Sequence, residues 1–296
     1  MKFYIFTITY SNVKDHLYKY KSIIANASSY LLIFIDIYTM NNKVVVSAIL
    51  CFVLLCIAYY LDHNSTFYNF WQNQPLGTAG EFAEYCEHNR MNSLLRQQMN
   101  SYSNIGFIFV GFLLLFSCKE VGRLSQFFTI FYSIFLIILG IGSTYYHASL
   151  TIEGQRWDML GTYGIPLSAL ILSIQGIIAP NNRTFLSILT IVLLFFLVGY
   201  FISPFYNLSG KILPPVFIAT AIFTSMYIYK NPHKSTLKTG IVAILSLAAA
   251  VFFRTIDVKK IGCDPESLYQ GHALWHLLTA TSAYLVYRIY HYTYSR

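Results

Sequence analysis

Charged side chains are scarce in this chain of 296 residues, of which only 11% are Asp, Glu, Lys or Arg. An ordinary soluble domain carries about 25%, so the shortage argues against a water-soluble fold. It also argues against a nucleic-acid partner, because a net charge of +8 spread over short loops forms no basic face that could follow phosphates. The 56% of hydrophobic residues indicate instead that the chain lies in a lipid membrane.

Closely spaced cysteine pairs are missing as well. The five cysteines include no CxxC pair, which argues against a zinc finger and against a dithiol redox centre. Any metal ion in this protein is therefore expected to be bound by histidines.

Long apolar stretches make up most of the chain, and a helix needs about 20 mainly apolar residues to cross the hydrocarbon core. Eight candidate spans lie at about 44–61, 102–118, 125–148, 158–179, 184–203, 212–229, 236–253 and 271–291. Short loops join the last seven, which predicts one up-and-down helix bundle. The fold class is therefore an all-α polytopic membrane protein, with 44–61 as an additional N-terminal helix. Residues 1–43 give no firm structural prediction.

The distribution of lysine and arginine predicts the orientation of the bundle. These residues concentrate in cytoplasmic loops, and they favour both termini inside, mainly through the lysines that precede the first span. The opposite face, where the third span ends and the fourth and eighth begin, would then be periplasmic or lumenal.

Ionisable residues inside the spans gather at this outer face. Ser143 and His147 share one helical face near the end of the third span, and His272 and His276 do so at the start of the eighth. Asp158 is predicted in the first turn of the fourth span, where the helix dipole favours a carboxylate. Since alternate helices run in opposite directions, all five side chains are expected at one depth.

Three neutral imidazoles with an open fourth position are typical of a catalytic zinc ion, which activates water. Asp158 is then a candidate general base that passes a proton to a leaving nitrogen, and Ser143 a candidate assisting residue. Other roles stay open. Membrane histidines also hydrogen-bond between helices, an aspartate can cap a helix, and a serine can serve packing alone.

Two cysteines are predicted to lie at the same outer face. Cys86 lies beside the acidic residues of the only long polar connection, 62–101, and Cys263 lies just before the eighth span. An oxidising compartment would permit a disulfide between them. Two free thiols are the alternative, because no spacing rule requires this pair.

The pattern of these residues resembles the alkaline ceramidase family, within a larger group of seven-helix membrane hydrolases that includes the adiponectin-type receptors. The motifs GxGSxxxH, an aspartate eleven residues later, and HxxWH occur here at Gly140, Gly142, Ser143, His147, Asp158, His272, Trp275 and His276. The resemblance covers about 80–296. It implies zinc ligation by the three histidines and assistance in catalysis by Asp158 and Ser143.

The resemblance also implies a calcium site in the acidic segment EYCEHN. Its ligands would be Glu84, the carbonyl of Tyr85, Glu87 and Asn89, and oxygen donors of this kind suit calcium. Where the family pattern has a further glutamate, this chain has Gln98, which removes one charge. An ordinary acidic loop is the alternative interpretation.

The expected function is hydrolysis of the amide bond of ceramide or a similar N-acyl lipid drawn from the membrane. The family's acidic and proline residues after the catalytic aspartate are replaced by Met159, Leu160 and Gly161, so other lipid amides or esters remain alternatives. An adiponectin-type receptor and a transporter with a structural metal site are the competing classes. The sequence leaves the oligomeric state open.

Overall fold

The computed structural model describes residues 42–118, 123–178, 209–232 and 234–294, together with single positions between 184 and 194. Within these ranges the regular structure is helical, apart from one isolated bridge between Leu76 and Thr151. The described α-helices are α1 (Asn42–Asp62), α2 (Thr78–Phe82), α3 (Gln98–Tyr102), α4 (Ile105–Ser117), α5 (Arg123–Ser149), α6 (Ile152–Ile178), α7 (Ser209–Lys230), α8 (Lys234–Val258) and α9 (Gly271–Tyr294). A short 3₁₀ turn, Ser65–Phe67, follows α1.

The prediction of an all-helical membrane protein is confirmed. Five described helical segments are long and apolar enough to cross a membrane, namely Asn42–Asp62, Gln98–Ser117 (α3 and α4 together), Gln126–Ser149, Ile152–Ile178 and Ser235–Val258. The predicted spans 212–229 and 271–291 lie within α7 and α9. Residues 1–41 lie outside the described residues, and so does the predicted span 184–203 apart from those single positions.

The connection between α5 and α6 consists of Leu150 and Thr151 alone. Leu150 has a left-handed φ of 52°, and the Thr151 hydroxyl accepts a hydrogen bond from Gly154 N at 3.2 Å. A hydroxyl that accepts a hydrogen bond from a free backbone amide of the first turn stabilises the start of a helix. α6 therefore begins earlier than predicted, and the placement of Asp158 in its first turn is wrong. The first-turn acid is Glu153, and Asp158 lies about two turns in.

Glycines allow α5 and α6 to approach each other closely. A Cβ added to Gly142 would lie 2.6 Å from the Trp157 carbonyl, and one added to Gly161 would lie 2.4 Å from Leu139 Cα. Small residues at such contacts are typical of packed membrane helices. The close approach fixes the position of the end of α5 against the first half of α6.

An aromatic-rich core fills the bundle at greater depth. Its buried members are Phe107, Val110, Leu114, Phe128, Tyr132, Phe135, Leu136, Leu139, Tyr163, Ile165, Ala169, Leu172, Tyr227, Ala280, Ala283, Tyr287, Ile289 and Tyr290. They come from α4, α5, α6, α7 and α9. These helices therefore pack around one core, and the ends of α5 and α9 are held at fixed positions relative to each other.

The polar connection after α1 lies across the turn between α5 and α6. Gly77 N donates to Leu150 O at 2.8 Å, and Ile152 N donates to Pro75 O at 3.0 Å. Further along, Arg96 N and Gln97 N donate to the carbonyls of Ala148 and His147, each at 3.0 Å. Since the last carbonyls of a helix have no partner within it, this connection satisfies the end of α5.

Candidate active site

Three buried histidines meet where α5 ends and α9 begins. His147, His272 and His276 are 1%, 4% and 3% exposed, and one ring nitrogen from each lies within 4.8 Å of the others. Their ring centroids are 4.5 to 5.1 Å apart. In the described part of the chain, no other group of His, Cys, Asp or Glu has metal-binding spacing. The three histidines therefore lie close together, as the sequence predicted.

Hydrogen bonds fix the ring orientation of two of them. Gln97 Oε1 lies 2.7 Å from Nδ1 of His147, and Ser103 Oγ lies 2.8 Å from Nδ1 of His276. An amide oxygen only accepts, and the Ser103 hydroxyl already donates to Asn100 O at 3.0 Å. Both rings therefore carry a proton on Nδ1, which leaves the Nε2 lone pair for a metal ion.

His272 differs from the other two. Its ring stacks on Tyr85 with centroids 3.9 Å apart, and its Nδ1 is a buried atom without a hydrogen-bond partner among the described residues. Buried polar atoms are nearly always satisfied, so an unpaired ring nitrogen beside two other imidazoles needs an explanation. The three neutral imidazoles form a donor set that suits a metal ion, because histidine is the commonest metal ligand in proteins.

Ser143 and Asp158 form a pair beside the histidines. The Ser143 side chain hydrogen-bonds the Asp158 carboxylate. Ser143 is 2% exposed and lies one turn before His147 on α5, whereas Asp158 is only partly buried on α6. The five predicted residues thus stand at one end of the bundle, as three histidines and one serine–aspartate pair.

Comparison with known proteins decides the family. The sequence model of the ceramidase family matches residues 81–296, which include all three helices that carry these side chains. The chain belongs to the ceramidase family. An alkaline ceramidase of Drosophila melanogaster is 26% identical over 233 residues, which cover 76% of this chain and 80% of that protein. The resemblance stated from the motifs is confirmed, and ceramidase membership supports hydrolysis of a ceramide lipid.

The acidic segment of this ceramidase chain lies over the histidines, and its carboxylates have partners within the protein. Glu84 pairs with Arg254 at 3.2 Å, and both Glu87 oxygens accept backbone amides at the start of α3, at 2.7 and 2.8 Å. Burial raises the pKa of both glutamates. Three of the four carboxylate oxygens thus have partners within the protein. Calcium binding by this segment stays a prediction.

The two adjacent glutamines point to different partners. Gln97 Nε2 donates to Asn89 Oδ1 at 2.7 Å, whereas Gln98 Nε2 donates to Asp62 Oδ2 at the same distance. Gln97, not Gln98, therefore links the acidic segment of this ceramidase to His147. The resemblance implied Gln98 as a possible calcium ligand of the acidic segment, and that role stays a prediction.

Asp257 is a further buried residue that sequence reasoning missed. One of its carboxylate oxygens accepts from Cys86 N and the other from His272 N, each at 3.0 Å. It thus ties the acidic segment to the first turn of α9. Asp257 is an ionisable residue at the end of an apolar helix, and this position alone would have made it a candidate functional residue in the sequence.

Cys86 and Cys263 are joined by a disulfide across 177 residues. We expect reductant to lower the thermal unfolding midpoint of the wild-type protein in detergent, because the bond restricts the unfolded chain. The effect in soluble proteins is typically about 2–4 kcal/mol, and membrane insertion reduces it here. The double variant Cys86→Ser/Cys263→Ser should unfold at the lower midpoint with or without reductant.

The matched control is Cys56→Ser, which changes an exposed thiol on α1 and should keep the response to reductant. A wild-type midpoint that reductant leaves unchanged would argue against the bond in the native protein. So would non-reducing peptide mapping that finds unmodified Cys86 in most molecules.

Proposed function

We propose that this chain is a zinc-dependent hydrolase that cleaves the amide bond of ceramide or a similar N-acyl lipid. The products are a free fatty acid and a sphingoid-type amine. The observation that carries the proposal is the cluster of three buried histidines at the end of the bundle that also carries a serine–aspartate pair, in a chain of the ceramidase family.

The zinc ligands in this proposal are His147, His272 and His276. Gln97 and Ser103 hold two of the rings with Nδ1 protonated, so their Nε2 atoms are free to bind. When bound, zinc lowers the pKa of water and polarises a carbonyl group. The chain itself supplies neutral ligands in a buried position, where a charged imidazolium would be costly.

Asp158 has the role of the proton carrier. Its carboxylate accepts a proton from the attacking water, whose oxygen forms the new bond to the amide carbon. As the carbon–nitrogen bond breaks, Asp158 gives that proton to the leaving nitrogen, so the amine departs neutral. The hydrogen bond from Ser143 orients the carboxylate for both transfers. Being only partly buried, Asp158 remains open to a lipid that enters between the helices.

The site is proposed to face the periplasm or a lumen. The disulfide near the histidines supports this side, since such bonds persist in oxidising compartments. The excess of lysine and arginine on the other face supports it as well.

We expect the purified protein in lipid vesicles to release fatty acid and sphingoid amine in equal amounts from an N-acyl sphingoid substrate. A matched ester with the same acyl chain separates amide from ester specificity, and mass spectrometry measures both products. Release from the ester alone would make the chain a lipid esterase. No release from either substrate by zinc-loaded protein would favour a receptor or a transporter.

A further inference from the structure

Helix α1 precedes the part of the chain that matches the ceramidase family, which begins at residue 81. Only 11% of its most apolar stretch is buried, compared with 17% for Ser235–Val258 and 44–56% for the spans Gln98–Ser117, Gln126–Ser149 and Ile152–Ile178. Most apolar side chains of α1 are therefore exposed at the surface of the protein and not part of its core. Its specific attachment has to be sought in polar contacts.

Such a contact lies at the last residue of α1. Asp62 is 5% exposed, and its two carboxylate oxygens accept from Leu95 N at 2.8 Å and from Gln98 Nε2 at 2.7 Å. A buried carboxylate is tolerated when donors satisfy it, and hydrogen bonds to an ionised acceptor are strong. Asp62 thus binds the stretch 95–98 at both ends.

The stretch enclosed by this contact contains the residue that holds a histidine of the site. Gln97 lies between Leu95 and Gln98, and its Oε1 accepts from His147 Nδ1 at 2.7 Å. Its backbone N also donates to His147 O at 3.0 Å. Backbone bonds to the end of α5 hold Arg96 and Gln97 in the middle of the stretch, and Asp62 holds Leu95 and Gln98 on either side of them. The carboxylate of Asp62 therefore contributes to the position of the Gln97 amide oxygen.

We propose that Asp62 is a positioning residue for His147, through which α1 supports the metal site although it lies outside the family match. The inference rests on the proposed three-histidine metal site. It assigns α1 a role in catalysis beyond membrane anchoring.

A charge exchange between Asp62 and Gln98 tests this role. Gln98→Glu places a second carboxylate where Asp62 Oδ2 now accepts a hydrogen bond, and the two like charges repel. Adding Asp62→Asn restores the pair in reverse, because the new amide donates to the carboxylate introduced at position 98 and its oxygen still accepts from Leu95 N. Asp62→Ala removes both bonds. Glu153→Gln is the matched control, since its carboxylate pairs with Arg156 at 3.5 Å within α6.

The measurement is binding of cobalt(II) to the metal-free protein, by titration and by the visible spectrum of the bound ion. Loss of a direct hydrogen-bond partner of a metal-binding histidine costs 10–100-fold in affinity. For Asp62, one step further away, we expect a loss on the order of tenfold in Asp62→Ala and Gln98→Glu, with a shifted spectrum. The double variant and Glu153→Gln should match the wild type in both readouts.

The outcomes separate the two hypotheses. A wild type that binds no cobalt overturns the proposed metal site itself. If the wild type binds cobalt and Gln98→Glu binds it with equal or higher affinity, only the role of Asp62 is overturned. That result would favour Gln98 as a ligand of another cation. Failure of the double variant to recover also overturns it. If Asp62→Ala does not fold, the Gln98→Glu variant and its rescue decide.

Discussion

A His276→Ala variant is expected to retain at most about a tenth of the zinc that the wild-type protein binds. Loss of an outer partner of a ligand already costs 10–100-fold in metal affinity, and this change removes one of three protein ligands. It also leaves the Ser103 hydroxyl without its ring partner. The measurement is metal content by mass spectrometry on protein that elutes as a folded peak from gel filtration.

His88→Ala is the matched control, because His88 lies at the surface and pairs with Glu266 at 3.2 Å. It should keep the wild-type zinc content. A His276→Ala protein with full zinc content would show that the metal lies elsewhere. Retention of the fold, checked by circular dichroism, distinguishes loss of a ligand from unfolding.

An Asp158→Asn variant should bind zinc like the wild type and yet lose about 10²–10⁴-fold in turnover, which is the usual contribution of a positioned general base. An asparagine oxygen still accepts the hydrogen bond from Ser143, so the packing of α5 against α6 is preserved. The amide cannot take up the proton that the reaction releases. Turnover of an N-acyl lipid and zinc content are measured on the same preparation.

Ser143→Ala provides the comparison for this variant. It removes the partner and leaves the carboxylate, so its loss of turnover should be smaller, at most about 10²-fold. Zinc-loaded Asp158→Asn with turnover close to the wild type would move the proton carrier to another residue. An equal loss in both variants would mean that the pair acts as one unit.

The three histidines were predictable from sequence because helix periodicity and alternating helix direction fix depth. Spacing of four residues puts His272 and His276 on one face, and the reversal between spans brings His147 to the same end. These rules use only local geometry and membrane crossing. They do not depend on the detailed packing of the bundle.

The residues that orient the histidines were not predictable in the same way. Gln97 and Ser103 lie in or next to an irregular polar connection, where no period relates sequence position to direction. Which of two neighbouring glutamines meets His147 depends on backbone bonds to the end of α5. The start of α6 was missed for a related reason, because the short turn through Thr151 uses polar residues that hydropathy assigns to a loop.

The two-residue turn between α5 and α6 also fixes the position of Asp158 relative to Ser143. Ser143 stands seven residues before Leu150, and Asp158 stands seven residues after Thr151, so the pair is symmetric about the reversal. Each residue advances a helix by about 1.5 Å and turns it by about 100°. One inserted or deleted residue between His147 and Asp158 would therefore rotate the carboxylate away from the hydroxyl, although such changes are usually tolerated in surface loops. Chain length in this turn is therefore expected to stay fixed during evolution even where its amino acids change.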